Sequence, residues 1–174
     1  MSILNLFKKK DAETIDFDLI NTASGKLEDF TKRLRRSSLI MLIIGKRGSG
    51  KSALGFKLLE TLAGGSKKAY YIGQAKLPWW IRTVDDIDKI SNDSIVLVDE
   101  AALSFSARDS MSKSNKFLGK LMAIARHKNL TLIIITQNSA MLDLNILRLS
   151  DTLLFKEPSL LQEKFERKAI AELF

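Results

Sequence analysis

The sequence contains no cysteine, one histidine and two prolines in 174 residues. Without cysteine, neither a disulfide nor a thiolate metal site is available, which suits a reducing compartment. Long apolar runs are also missing. The longest, Leu39–Ile44, is far shorter than the roughly 20 residues of a membrane-spanning helix. We therefore expect no membrane span and a cytoplasmic location.

Acidic residues are scarce in one part of the chain. The net charge is +8, and residues 41–80 carry 7 basic residues against 1 acidic residue, a local excess of +6. Part of this excess lies in a glycine-rich loop. The remaining cations are Lys57, Lys67, Lys68 and Lys76. They suit electrostatic contact with nucleic acid and equally suit a solvated basic face.

Glycine and proline are too sparse to mark a long linker, so we expect one domain over residues 37–174. A lead-in with a helical stretch at Leu27–Leu34 occupies residues 1–36. Five short apolar runs predict strands buried on both faces: Leu39–Ile44, Ala69–Ile72, Ile95–Val98, Leu132–Ile135 and Thr152–Phe155. Helical spacing predicts helices between and after them: Lys51–Leu62, Ser112–Arg126 and Ser159–Leu173. This alternation predicts an α/β domain with a mainly parallel sheet.

A glycine-rich loop follows the first predicted strand and opens a helix. It has the spacing G-x-x-x-x-G-K-[ST] of a phosphate-binding loop and consists of Gly45, Lys46, Arg47, Gly48, Ser49, Gly50, Lys51 and Ser52. Its glycines permit close approach of backbone N–H groups to an anion. Lys51 offers charge to the β- and γ-phosphates, and Ser52 offers a hydroxyl to Mg²⁺. A Gly-rich turn with incidental lysine and serine is the alternative, but the strand before the loop and the helix after it favour ATP binding.

Two carboxylates end the strand Ile95–Val98. Two adjacent carboxylates at the end of a buried strand cost free energy unless a cation or a proton neutralises them. A Mg²⁺ ion bound to the phosphates is such a cation. Asp99 is then predicted to orient the metal, and Glu100 to activate the attacking water as a general base. In the alternative interpretation, Glu100 is a solvent-facing residue at the start of a helix.

The strand Leu132–Ile135 also ends in polar residues. Gln137 is our preferred sensor of the γ-phosphate and the attacking water, with Thr136 second and a simple polar cap as the alternative. Phosphoryl transfer also favours an arginine that stabilises charge in the transition state. Arg126 is the first candidate for an arginine finger, that is, an arginine that one subunit inserts into the active site of its neighbour. Arg148 is the second candidate.

Two adjacent tryptophans, Trp79 and Trp80, follow the second predicted strand. On a regular element they cannot both face one core, so one is expected to be exposed. This tryptophan is suited either to stacking on nucleic-acid bases or to docking onto the next helix.

Together these motifs resemble the additional-strand, catalytic-glutamate class of P-loop ATPases. The stretch from Asp99 to Lys156 is most similar to the FtsK–HerA superfamily, through Arg126 before the third motif's strand and Gln137 after it. That superfamily includes viral genome-packaging ATPases and, as the second resemblance, the Zot-like ATPases of filamentous phages. The resemblance implies an extra strand between the strands of the first two motifs, a hexameric ring and DNA as cargo.

The implied function is Mg²⁺-dependent ATP hydrolysis that drives double-stranded DNA into a viral capsid, in the host cytoplasm if the protein is viral. The chain holds little beyond a motor domain, which suits a compact packaging ATPase. It carries no membrane helix of a complete Zot-type protein and no nuclease domain. The alternatives are an assembly or switch ATPase that acts on a protein partner and, less favoured, a small-molecule kinase.

Overall fold

The computed structural model describes residues 26–36, 38–63, 67–99, 111–137 and 142–158. Within these segments the chain forms α-helices, one 3-10 helix and a single β-sheet. In chain order the elements are α1 (Leu27–Arg36), β1 (Ile40–Ile44), α2 (Lys51–Ala63), β2 (Ala69–Ile72), β3 (Ile81–Thr83), the 3-10 helix (Ile87–Lys89), β4 (Ile95–Val98), α3 (Met111–His127), β5 (Thr131–Thr136), α4 (Leu144–Leu149) and β6 (Thr152–Phe155).

The sheet has six strands in the order β3-β2-β4-β5-β1-β6, and every neighbouring pair is parallel. Strand β5 therefore lies between β1, which leads into the glycine-rich loop, and β4, which leads to Asp99. This is the extra strand that the resemblance implies. The prediction of an α/β fold with a mainly parallel sheet is confirmed.

The predicted strands agree closely with the structure. Strands β2, β4 and β6 have the predicted bounds, while β1 begins one residue later and β5 extends one residue further at each end. Strand β3 and helix α4 were not predicted, because each is too short to show a periodic pattern. The predicted helix Ser159–Leu173 lies outside the described residues.

Both faces of the sheet are buried, as the continuous apolar runs predict. In β1, Ile40, Leu42 and Ile44 face a core that α3 and α4 complete. Met41 and Ile43 point to the opposite core, which α2 covers. The alternation follows from the two-residue period of a strand, and it produces three layers.

Helix α2 packs very closely on the sheet. A Cβ at Gly55 would be 2.9 Å from the Cδ1 atoms of both Leu97 and Ile135. Only a residue without a side chain permits this approach. The contact fixes the start of α2, and with it the end of the glycine-rich loop, over strands β4 and β5.

Helix α1 belongs to the predicted lead-in, and its residue Leu34 is buried in the same core as Met41. The division of the chain at residue 36 stays a prediction. Among the described segments, no helix combines the length and the apolar character that crossing a membrane requires.

Candidate phosphate-binding site

Three predicted motifs meet at one edge of the sheet. Gly45 directly follows β1, Asp99 follows β4 and Gln137 follows β5, and these three strands are adjacent in the sheet. Because all the strands are parallel, their carboxyl ends form one edge, the usual position of ligands in open α/β sheets. We call it the carboxyl edge, and the opposite one the amino edge.

The glycine-rich loop has the backbone that an anion site requires. Gly48 and Gly50 have φ values of +79° and +82°, a region that side chains disfavour. Directly after Gly50, helix α2 begins at Lys51, so the partial positive charge of its N-terminus lies at the loop. The Lys51 side chain is only 7% exposed, and its Nζ donates to the carbonyl of Lys46 at 2.7 Å.

The loop fits a phosphate group by a further criterion. The hydroxyl of Ser49 is buried and has no hydrogen-bond partner among the residues that the structure describes. A buried hydroxyl without a partner is costly, and an oxygen of a bound phosphate would satisfy it. Together with the buried ammonium group of Lys51, this is the donor set that a polyphosphate needs.

Asp99 has a neighbour that the sequence did not reveal. The hydroxyl of Tyr71, on β2, donates to Oδ2 of Asp99 at 3.3 Å. Burial, together with the neighbouring carboxylate and this hydrogen bond, raises the pKa of Tyr71 to about 12. Tyr71 therefore keeps its proton at neutral pH and remains a donor to Asp99.

The surroundings of Tyr71 hold its ring in place. Phe56 of α2 stacks on it, with ring centroids 5.5 Å apart. Gly73, with a φ of +155°, lies against the hydroxyl end of the ring: a Cβ there would be 2.6 Å from the Tyr71 hydroxyl. A residue with a side chain at position 73 would displace the hydroxyl from Asp99.

The other predicted site residues differ in what the structure shows of them. Gln137 is exposed at the carboxyl edge and Thr136 is buried at the end of β5. Ser52 is exposed in the first turn of α2. Glu100 lies outside the described residues, so its role stays a prediction.

Arg126 is not at this edge. It is exposed near the end of α3, and it lines a groove of about 360 Å³ together with Ser38, Ile40 and Asp151. All of these lie at the amino ends of strands, so Arg126 is separated from its own glycine-rich loop by the length of β1, on the order of 15 Å. Arg148 is exposed in α4.

The basic residues also divide between the two edges. Lys67 and Lys68 precede β2, and Lys67 donates to the Thr131 hydroxyl at the start of β5 at 3.0 Å, so both belong to the amino edge. Lys57 and Lys76 instead line a groove of about 400 Å³ beside α2. The sequence grouped these four lysines around the phosphate loop, but the fold separates them.

The adjacent tryptophans have different environments, as expected. Trp79 is 89% exposed. Trp80 packs against the core beneath α2 and lines the groove that Lys57 and Lys76 also line.

Comparison with known families identifies the chain. Residues 66–152 match the family described as zonular occludens toxin (Zot). The match covers 87 of the 174 residues, half of the chain. The chain belongs to the Zot family. The sequence suggested two resemblances, first to viral genome-packaging ATPases and second to Zot-like ATPases. The second corresponds to this family. The matched region of this Zot-family chain contains Asp99, Arg126 and Gln137, whereas the glycine-rich loop precedes it.

Solved structures share the fold of this Zot-family chain at low sequence identity. The cytoplasmic domain of EssC has a TM-score of 0.53 and 15% identity over 75% of this chain. This chain spans only 33% of that EssC structure. The genome packaging NTPase B204 from Sulfolobus turreted icosahedral virus 2, in complex with AMP, has a TM-score of 0.53 and 16% identity. That alignment covers 78% of this chain and 84% of B204.

The same B204 protein in complex with ATP-gammaS gives a TM-score of 0.53 and 17% identity, over 78% of this chain and 83% of that one. No curated protein matches the chain closely enough to be counted as a relative. The family, the sheet order and these neighbours agree with an additional-strand P-loop ATPase.

Proposed function

We propose that this protein hydrolyses ATP with the help of Mg²⁺ at the carboxyl edge of strands β1, β4 and β5. The observation that carries the proposal is the position of β5 between the strands that precede the phosphate loop and Asp99. This order brings the two motifs to one edge with a single strand between them, so that both can contact one bound nucleotide. The buried hydroxyl of Ser49, which has no hydrogen-bond partner within the described part of the chain, supports a phosphate ligand there.

The phosphates of ATP bind to backbone N–H groups of residues 45–52 and to the ammonium group of Lys51. The Ser52 hydroxyl and the Asp99 carboxylate are the residues that would hold Mg²⁺, which neutralises charge on the phosphates when bound. Tyr71 donates to one oxygen of Asp99 and thereby fixes the direction of its carboxylate. Water is the acceptor in this reaction.

In the hydrolytic step, Glu100 accepts a proton from the attacking water. The water oxygen forms a bond to the γ-phosphorus, and the bond from that phosphorus to the bridging oxygen of ADP breaks. The products are ADP and inorganic phosphate. Gln137, which follows β5 between the two other motifs, orients the water and senses the γ-phosphate.

Removal of the Tyr71 hydroxyl tests the role of Asp99. In Tyr71→Phe the ring remains stacked on Phe56, but the carboxylate loses its donor. Partners of metal-binding groups typically contribute 10-fold to 100-fold in affinity or activity. We expect the Mg²⁺ concentration for half-maximal ATP hydrolysis to rise about tenfold.

Tyr70→Phe is the matched control for this variant. The Tyr70 hydroxyl is hydrogen-bonded to Ser91 at 2.9 Å, not to Asp99. The Tyr70→Phe variant should therefore show the same Mg²⁺ dependence of ATP hydrolysis as wild type. Equal Mg²⁺ dependence in wild type, Tyr71→Phe and Tyr70→Phe would contradict the role assigned to Tyr71.

We further propose that hydrolysis moves nucleic acid, most consistently double-stranded DNA during viral genome packaging, with the capsid as a possible partner. The net charge of +8 and the fold shared with a genome packaging NTPase support this. The motor in this proposal is a ring, with the six subunits that the resemblance implies. In this ring we place the amino edge of one subunit against the carboxyl edge of the next, as a head-to-tail contact allows, because Arg126 lies too far from its own phosphate loop to reach the nucleotide there.

An ATPase that acts on a protein partner is the second candidate. Membership of the Zot family supports it, because the Zot-like assembly ATPases are one of the resemblances of the sequence. The exposed ring of Trp79, beside an apolar groove, is the surface that favours a protein contact.

One experiment separates the two candidates: ATPase rates with and without double- and single-stranded DNA, measured alongside the size of the nucleotide-bound protein. The motor proposal expects a rate that double-stranded DNA increases several-fold and an oligomer that forms with nucleotide. In the oligomer, Arg126→Ala should lower turnover without weakening ATP binding by the monomer. If the protein stays monomeric and its turnover does not change when DNA is added, the motor proposal is wrong and the protein-partner candidate is favoured.

A further inference from the structure

The residue after β6 continues the pairing of the sheet beside the phosphate loop. The backbone N–H of Lys156 donates to the carbonyl of Ile44 at 2.7 Å. The next residue, Glu157, accepts a hydrogen bond from the backbone N–H of Lys46 at 2.9 Å, and its carboxylate pairs with the Lys46 ammonium group. The segment after β6 is thereby fixed along the first residues of the loop.

The Lys156 side chain crosses the loop from its first glycine to its last. Its Cβ is 2.7 Å from the position that a Cβ on Gly45 would occupy, and its Cε is 3.9 Å from the corresponding position on Gly50. The ammonium group is one bond beyond Cε. It therefore lies close to the residue that directly precedes helix α2.

The ammonium group of Lys156 has no oppositely charged partner within the described part of the protein. Lys46 is paired with Glu157, whereas Lys156 forms no ion pair with any residue in the segments the structure describes. A half-buried cation beside a helix N-terminus adds to the positive potential there. The buried hydroxyl of Ser49, which has no hydrogen-bond partner in those segments either, is 3.0 Å from the same Gly45 position that Lys156 touches.

We propose that Lys156 is a second phosphate-binding lysine, which contacts the diphosphate portion of a bound nucleotide from the side of β6. The proposal rests on the proposed function, because it needs a nucleoside di- or triphosphate in the loop. Lys51 approaches that ligand from α2, beneath the loop, and Lys156 approaches it from across the loop. The position near Gly50 predicts a contribution to ADP as well as to ATP.

A purely structural role would come from the methylene stem, which covers the glycines of the loop. Lys156→Met keeps a stem of similar length and removes only the charge, while Lys156→Arg keeps the charge. Loss of one charged hydrogen-bonding partner should weaken binding about tenfold. We expect this loss for both ADP and ATP in Lys156→Met, and near-complete recovery in Lys156→Arg.

The test is a titration of wild type and the variants with fluorescent ADP and ATP at two salt concentrations. It measures binding affinity and does not depend on hydrolysis. Thermal unfolding of each variant is measured in parallel, and Lys156→Gln repeats the test if the Met variant is unstable. Lys57→Met is the control, since Lys57 is exposed on α2 and pairs with Glu60. Wild type should also show a steeper loss of affinity with salt than Lys156→Met.

If wild type binds both nucleotides and the Met and Gln variants bind them equally well, with the same salt dependence, the role of Lys156 is overturned. If wild type binds neither nucleotide, the proposed function fails first, and this inference fails with it. Weaker binding by Lys156→Met that Lys156→Arg restores, with unchanged unfolding temperature, supports the inference.

Discussion

Replacing Lys51 with alanine is expected to abolish measurable ATP turnover. Lys51 is only 7% exposed, and its ammonium group donates a hydrogen bond to the carbonyl of Lys46, in the loop, at 2.7 Å. Its charge is thus held in position before ATP binds, which is the arrangement that stabilises charge developing in a transition state. Removal of one such donor typically costs on the order of 100-fold to 1,000-fold in rate.

The affinity for ATP should fall as well, by roughly 10-fold to 100-fold, because a hydrogen bond to a charged group is lost. Titration with a nucleotide and steady-state phosphate release measure the two effects separately. Lys57→Ala is the matched control, since it removes an exposed lysine from the same helix. Wild-type binding and turnover in Lys51→Ala would exclude residues 45–52 as the nucleotide site.

Replacing Glu100 with glutamine is expected to stop hydrolysis and to leave ATP binding intact. Glutamine has the shape of glutamate but does not accept the proton of the attacking water. A general base contributes about 100-fold to 10,000-fold to a rate. Asp99 and the phosphate loop are unchanged in this variant, so nucleotide affinity should stay within about twofold of wild type.

Glu60→Gln provides the control for the loss of one carboxylate, because Glu60 is exposed on α2 and pairs only weakly with Lys57 in solvent. Single-turnover rates and nucleotide titrations on both variants give the comparison. A Glu100→Gln protein that hydrolyses ATP at the wild-type rate would show that another group is the base.

The sequence predicted the sheet well because its central strands carry local signals. Strands β1 and β4 are uninterrupted apolar runs, and β5 contains the apolar run Leu132–Ile135. Each is followed by the polar or glycine-rich residues of a motif. Such patterns depend only on neighbouring residues. Strand β3 escaped detection because its sequence is Ile81-Arg82-Thr83, and only Ile81 is buried.

What the sequence did not predict depends on the order of the strands. Tyr71 meets Asp99 because β2 lies next to β4, and Lys156 reaches the phosphate loop because β6 lies next to β1. No local pattern encodes such neighbours. Arg126 illustrates the opposite case: its place at the amino edge follows from chain order alone, because it comes just before the first residue of β5, Thr131.

The central claim is that the carboxyl edge of this sheet hydrolyses ATP. The most direct measurement is the Mg²⁺-dependent release of inorganic phosphate from ATP labelled at the γ-position, by wild type and Glu100→Gln at matched nucleotide occupancy. We predict free phosphate from wild type, none above background from Glu100→Gln, and none from either without Mg²⁺. Equal release by the two proteins, or transfer of the label from ATP to an acceptor other than water, would contradict the account.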